Sequence, residues 1–217
     1  MNLADFHNLH LNQTCLLVGL GPNLIQTPPE WFDYPSFGIN TVYKYEGWRP
    51  IYYVSVDHRC MVDDGAKIVE AYRDIPKFVP TPDYDGLQGD NFYRFKHRRG
   101  EMMEGGKGPG RADFLTKCGV GYYRIMDAVI QIAYHMGFRT MLMIGVQHKP
   151  QARKLHFWGA DEKAPDSIEA DTWEFIGYKF FSHDGALDQT RILNISEDTF
   201  VPENILPRDD WRKWRNN

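Results

Sequence analysis

Thr14-Cys15-Leu16-Leu17-Val18-Gly19-Leu20-Gly21-Pro22-Asn23-Leu24 is a short apolar run that stops in Gly-x-Gly-Pro-Asn. Four consecutive apolar residues before a glycine pair read as a buried parallel strand, because such strands are covered on both faces and need not alternate. The turn then falls at the strand's carboxyl end, where open α/β sheets bind ligands. Gly19 and Gly21 let backbone N–H groups approach a phosphate with no Cβ in the way. Pro22 fixes the backbone after them, and the side chain of Asn23 can hydrogen-bond a base, a sugar or its own turn. A plain strand-to-loop turn is the simpler reading, since the third glycine of the dinucleotide fingerprint is missing.

The chain continues in the same alternation. Phe37–Tyr43 reads as a second strand holding Asn40, which either sits beside the glycine turn or caps the next segment. Ile51–Asp57 reads as a third, and Asp57 at its carboxyl end can hold a metal or a ribose hydroxyl or cap the helix expected over 63–73. Lys77–Pro80 reads as a short strand. From Asp83 to Arg111 periodicity is lost, and the basic Phe95–Arg99 run is followed by five glycines. This predicts a mobile lid that closes over phosphates or meets an anionic acceptor, or else a solvated insertion.

Order returns at Tyr122–Met136, where Ile125, Val129, Ile132 and Met136 recur at helical spacing and predict an amphipathic helix with one buried stripe. Gly137 stops it. Thr140–Val146 is the next buried strand, so helix and strand form half of a parallel crossover unit. Residues 166–181 predict a helix, Ile192–Ile195 a final strand, and 208–217 a charged tail whose Trp211 and Trp214 either dock it or cover a neighbour's surface. The expected fold is α/β, a Rossmann-like domain with a central, mainly parallel sheet and a lid at 83–111, all within one domain over 1–217.

Composition narrows the function classes. A net charge of −4 argues against bulk nucleic-acid binding through a globally basic surface. No membrane span or signal peptide is legible, which predicts a cytoplasmic protein. The three cysteines, Cys15, Cys60 and Cys118, are far apart and read as reduced core thiols rather than a zinc set. An oligomer is compatible with all of this.

Three separated pieces come in a telling order: Val18–Leu24, Phe37–Tyr43, and Gly119-Val120 through Gly137-Phe138 to Ile144-Gly145-Val146. With His156-Phe157 they resemble the family 42 bacterial sialyltransferases and their distant relatives, the 6-hydroxymethylpterin pyrophosphokinase-like proteins. The resemblance implies that Gly19, Gly21, Asn23 and Asn40 hold a nucleotide, and that Thr116 through Gly119, Cys118 included, contact the nucleotide and donor sugar. It makes His156 the general base, a role that suits an imidazole whose pKa lies near ~6.5. Where the sialyltransferases carry tyrosines after the central strand, this chain has Lys149, Arg153 and Lys154, cations able to neutralise a leaving phosphate. Gln147 stands where many relatives have Asp, and Asn23 where Ser is common.

The expected function is therefore transfer of a sugar from a nucleotide-sugar donor, with no metal required, to the hydroxyl of a glycan, a small molecule or a modified nucleobase. Two alternatives remain beside it. One is an ATP- and Mg²⁺-dependent pyrophosphokinase acting on a small hydroxymethyl substrate, with Asp57 as the leading carboxylate. The other is a non-catalytic nucleotide- or nucleic-acid-binding module.

Overall fold

The computed structural model describes residues 3–81, 89–99, 120–122, 124–148, 155–160, 168–183, 187 and 189–216. Among the described residues there are ten strands: β1 (Thr14–Val18), β2 (Ser36–Ile39), β3 (Tyr52–Val54), β4 (Lys77–Thr81), β5 (Phe92–Arg99), β6 (Val120–Tyr122), β7 (Thr140–Ile144), β8 (Leu155–His156), β9 (Gly159–Ala160) and β10 (Arg191–Asn194). Three α-helices accompany them: α1 (His58–Ala71), α2 (Ile125–His135) and α3 (Ile168–Ser182). Eight strands form one sheet in the order β10-β7-β1-β2-β3-β4-β5-β6, and every pairing in it is parallel. The fold is the α/β, Rossmann-like arrangement that the apolar runs imply.

Strand residues alternate between two cores, because successive side chains point to opposite faces. Cys15, Leu17, Phe37, Tyr52, Phe78, Met141 and Met143 meet α2, α3 and the N-terminal segment on one face. Leu16, Val18, Tyr53, Val79, Leu142 and Ile144 meet α1 on the other. Both faces are covered, so the strands read as continuous apolar runs. β1 through β6 step outward in chain order; α2 then returns the chain across the sheet to β7, on the opposite side of β1.

Several local expectations need correction. The second strand ends at Ile39, because Asn40 takes a positive φ of 40° and the chain turns into a 3₁₀ helix over Asn40–Lys44. α1 begins at His58 rather than near Asp63, since Asp57 caps it. Part of the expected lid is a strand: in β5, Tyr93 and Phe95 are buried at period-two spacing. Of that segment, residues 83–88 and 100–111 lie outside the described residues. α2 starts at Ile125 and buries nearly every residue instead of a single stripe, because α3 closes on its outer side. Gly177 of α3 lies so near that an added Cβ would collide with the Asp127 carboxylate.

Residues 3–13 pack into the core and close the end of α2. Leu3 and Phe6 are core residues, with the Phe6 ring packed edge-on against Phe78 and Tyr93. The N–H groups of Asn8, His10 and Asn12 donate to the carbonyls of His135, Met136 and Gly137. These are the α2 end groups that no intrahelical donor can reach.

Candidate functional site

β1 lies between β2 and β7, and the chain leaves its carboxyl end toward β2 while β7 arrives from the far side. This is the switch position of the sheet, the place where open α/β sheets bind ligands. Gly19 and Gly21 stand on one lip and Gly145–His148 on the other.

The glycines are needed for the approach of these two loops. A Cβ on Gly19 would lie 2.5 Å from the Gly145 oxygen, and one on Gly21 would lie 2.7 Å from the same atom. Gly145 adopts φ +66°, and a Cβ there would lie 2.6 Å from the Gly19 oxygen. The N–H of Gly19 donates to the Ile144 carbonyl at 2.8 Å and that of Gly21 to the Gly145 carbonyl at 2.7 Å. Both donors assigned to a phosphate are thus engaged by β7 and its loop, a correction to the cradle reading of this turn.

The other polar candidates at the strand ends are also tied into the scaffold. Asn23 is fully buried; its Nδ2 donates to the Glu197 carbonyl at 2.7 Å, and its Oδ1, beside Gly21, has no hydrogen-bond partner among the described residues. Asn40 is half-buried, its Oδ1 accepting from Ser55 Oγ at 3.0 Å and its carbonyl from the Tyr53 hydroxyl at 2.9 Å. Asp57 takes the capping role, its Oδ1 accepting from the N–H groups of Arg59 and Cys60. Thr116, Cys118, Gly119, Lys149, Arg153 and Lys154 lie outside the described residues. Among the described residues, no group of three or more His, Cys, Asp or Glu side chains is arranged to hold a metal ion.

His156 belongs to a small antiparallel hairpin, β8 with β9. The hairpin docks on the site: Phe157 N–H donates to the Leu20 carbonyl at 3.0 Å, in the middle of the glycine turn. Phe157 meets the Tyr45 ring edge-on, and Lys44 Nζ sits 4.7 Å from the centre of the Trp158 ring. His156 itself is half-buried and stacks on Trp158 at 4.3 Å. Burial and then the Glu30 carboxylate push the Tyr45 hydroxyl up to about 12, so it stays protonated at neutral pH. Desolvation, reinforced by Asp57 and Asp64, pushes the Cys60 thiol up to about 12, which removes it as a nucleophile.

The far lip carries a residue that sequence reading passed over. His148 follows β7 at φ +51°, a left-handed conformation that few non-glycine residues adopt. Its Nε2 lies 3.3 Å from the hydroxyl of Tyr178, a buried α3 residue, and its ring meets Phe175 edge-on. The loop after β10 braces this lip. Val146 N–H donates to Ser196 Oγ, the Val146 carbonyl accepts from Asn194 and Thr199, and Phe200 N–H donates to the Gln147 carbonyl. Gln147 Nε2 in turn donates to Asp198. The available signal was positional, a histidine just past the second strand of the switch point.

No protein-family model matches this chain, and no curated protein matches it either.

Proposed function

We propose that the protein transfers a sugar from a nucleotide-sugar donor to an acceptor hydroxyl at the carboxyl ends of the central strands, beside the glycine turn and the His156 hairpin. The observation that carries the reading is the Phe157 N–H bond to the Leu20 carbonyl, which brings the His156 hairpin against the glycine turn at the switch point. In this reaction the acceptor oxygen attacks the anomeric carbon and its proton passes to a His156 ring nitrogen. The bond from that carbon to the phosphate oxygen breaks, and its electron pair stays with the departing phosphate. The aromatic wall of Tyr45, Phe157 and Trp158 suits the flat faces of a sugar or base and keeps water from the anomeric carbon. Lys149, Arg153 and Lys154 precede the hairpin in sequence and supply positive charge for the leaving phosphate.

The test is a thermal-shift panel of CMP, UDP, GDP and ATP derivatives with their sugars, each with and without Mg²⁺. A ligand at 100 times its dissociation constant stabilises by about 2.7 kcal/mol. The expected result is a metal-independent shift with one nucleotide sugar and a turnover that His156→Ala abolishes without unfolding the protein. A shift with ATP and Mg²⁺ alone would replace this reading with pyrophosphoryl transfer, and unchanged turnover in His156→Ala would remove the base assignment.

A further inference from the structure

We propose that the cavity at the carboxyl end of β10 is a second ligand site, one that binds a neutral polyhydroxylated molecule of the sugar class. It opens between the loop after β10 and the C-terminal tail, with a volume of about 380 Å³, within the ordinary range for small-ligand sites. Glu197, Asp198, Glu203, Arg208, Trp211 and Arg212 line it. In the order β10-β7-β1 it stands two strands from the glycine turn, roughly 10 Å at the usual strand spacing.

Both walls are fixed by contacts that a ligand does not need. Glu197 N–H donates to Thr27 Oγ1, and its carbonyl accepts from Asn23 Nδ2. On the tail side, Asp209 N–H donates to the Asn194 carbonyl, and Trp211 packs on Trp31 with ring centres 4.8 Å apart. The Trp211 indole N–H joins the walls by donating to Glu197 Oε2 at 2.6 Å. Three of the carboxylates at the cavity are matched by cations: Asp209 by Lys213, and Asp210 and Glu197 by Arg212. The remaining charged groups keep their capacity. Among the described residues, the side chains of Arg208 and Glu203 make no hydrogen bond or ion pair, and Asp198 accepts a single bond, from Gln147 at 3.4 Å. The cavity therefore offers a guanidinium that only donates beside carboxylates that only accept. An anion suits the first and is repelled by the second, and an ammonium meets the reverse conflict. A hydroxyl both donates and accepts, so a polyol satisfies both kinds of group through charge-assisted hydrogen bonds.

The experiment uses the full chain labelled with ¹⁵N and reads the indole N–H signals of its six tryptophans, with Trp211 and Trp158 assigned by Trp211→Phe and Trp158→Phe. The probes are glucose, lactose, glucosamine and glucuronate. The expected result is a saturable shift of the Trp211 signal with a neutral sugar. Arg208→Ala and Glu203→Ala should each weaken that binding about tenfold, the size of one hydrogen bond to a charged group, and leave the Tm unchanged because neither side chain loses a partner. A response to glucosamine alone or to glucuronate alone would overturn the polyol assignment. So would a sugar that moves Trp158 and leaves Trp211 still, since it would then sit at the His156 hairpin, and so would the lack of any saturable shift at Trp211. None of these outcomes depends on the nucleotide thermal shifts, which test the transfer reaction by itself.

Discussion

Gly19→Ala separates two explanations of the glycine turn. If the glycines exist to admit a phosphate, alanine should impair ligand binding and leave the fold intact. If they exist so that the β1 and β7 loops can meet, alanine should cost stability with no ligand present. A Cβ on Gly19 would lie 2.5 Å from the Gly145 oxygen, 3.0 Å from its carbonyl carbon and 3.2 Å from the Ile144 oxygen, all backbone atoms that no rotamer change can move. The loops must part, which sacrifices the Gly19 and Gly21 N–H bonds at about 1 kcal/mol each. Overpacking adds roughly 1–3 kcal/mol, and the stiffer unfolded chain returns roughly 0.4–1 kcal/mol. The expected loss is about 2–5 kcal/mol, or roughly 4–20 °C in Tm for a chain of this size. Equilibrium urea unfolding measures it, with Gly47→Ala as the control: Gly47 has φ +86° and open space around it, so only the backbone strain of about 1–2 kcal/mol applies. A Gly19→Ala protein within about 0.5 kcal/mol of the parent, a change no larger than an ordinary surface substitution gives, would refute the spacing argument.

Three further outcomes follow from the same contacts. Asn194→Ala removes a fully buried amide that donates to Val146 and Thr199 and accepts from Ser196 N–H, so unfolding should show a loss of about 1–3 kcal/mol; an unchanged midpoint would mean that the brace is dispensable. Burial raises the thiols of Cys15 and Cys60, and neither should react with a thiol reagent at neutral pH until the protein unfolds; mass-spectrometric labelling of either in the native state would contradict this. The hydrogen bond from Lys213 holds the Asp209 carboxyl below its ordinary 3.8, so its contribution to tail docking is fully present above that pH and is lost as pH falls through the lower folded value. The Trp214 indole N–H, which donates to Asp209, should shift in that acid window, and Asp209→Asn should abolish the step.

The docked tail shows how far local reading reaches. Trp211 and Trp214 were legible as anchors, and they do dock: Trp211 stacks against Trp31 and donates to Glu197, and Arg215 lies over Trp31. β5 was also legible in principle, since Tyr93 and Phe95 alternate, but the basic residues that follow masked the pattern. The ends of β2 and α1 were misplaced because each depends on one polar residue, Asn40 in a left-handed turn and Asp57 as a cap, and both residue types serve several purposes equally well.

Six of the eight sheet strands were legible in the chain alone, and β5 and β6 were not. Runs such as Leu16–Val18 and Met141–Ile144 are apolar without alternation because both faces are covered, and that requirement is written locally. The roles of the loops, in contrast, come from long-range contacts. Gly19 meets Gly145, Asn23 reaches Glu197 and His148 reaches Tyr178 across 126, 174 and 30 positions of chain respectively, taken from their residue numbers. A hydrogen-bond donor's partner is set by which strands lie side by side, and no local pattern of residues carries that information.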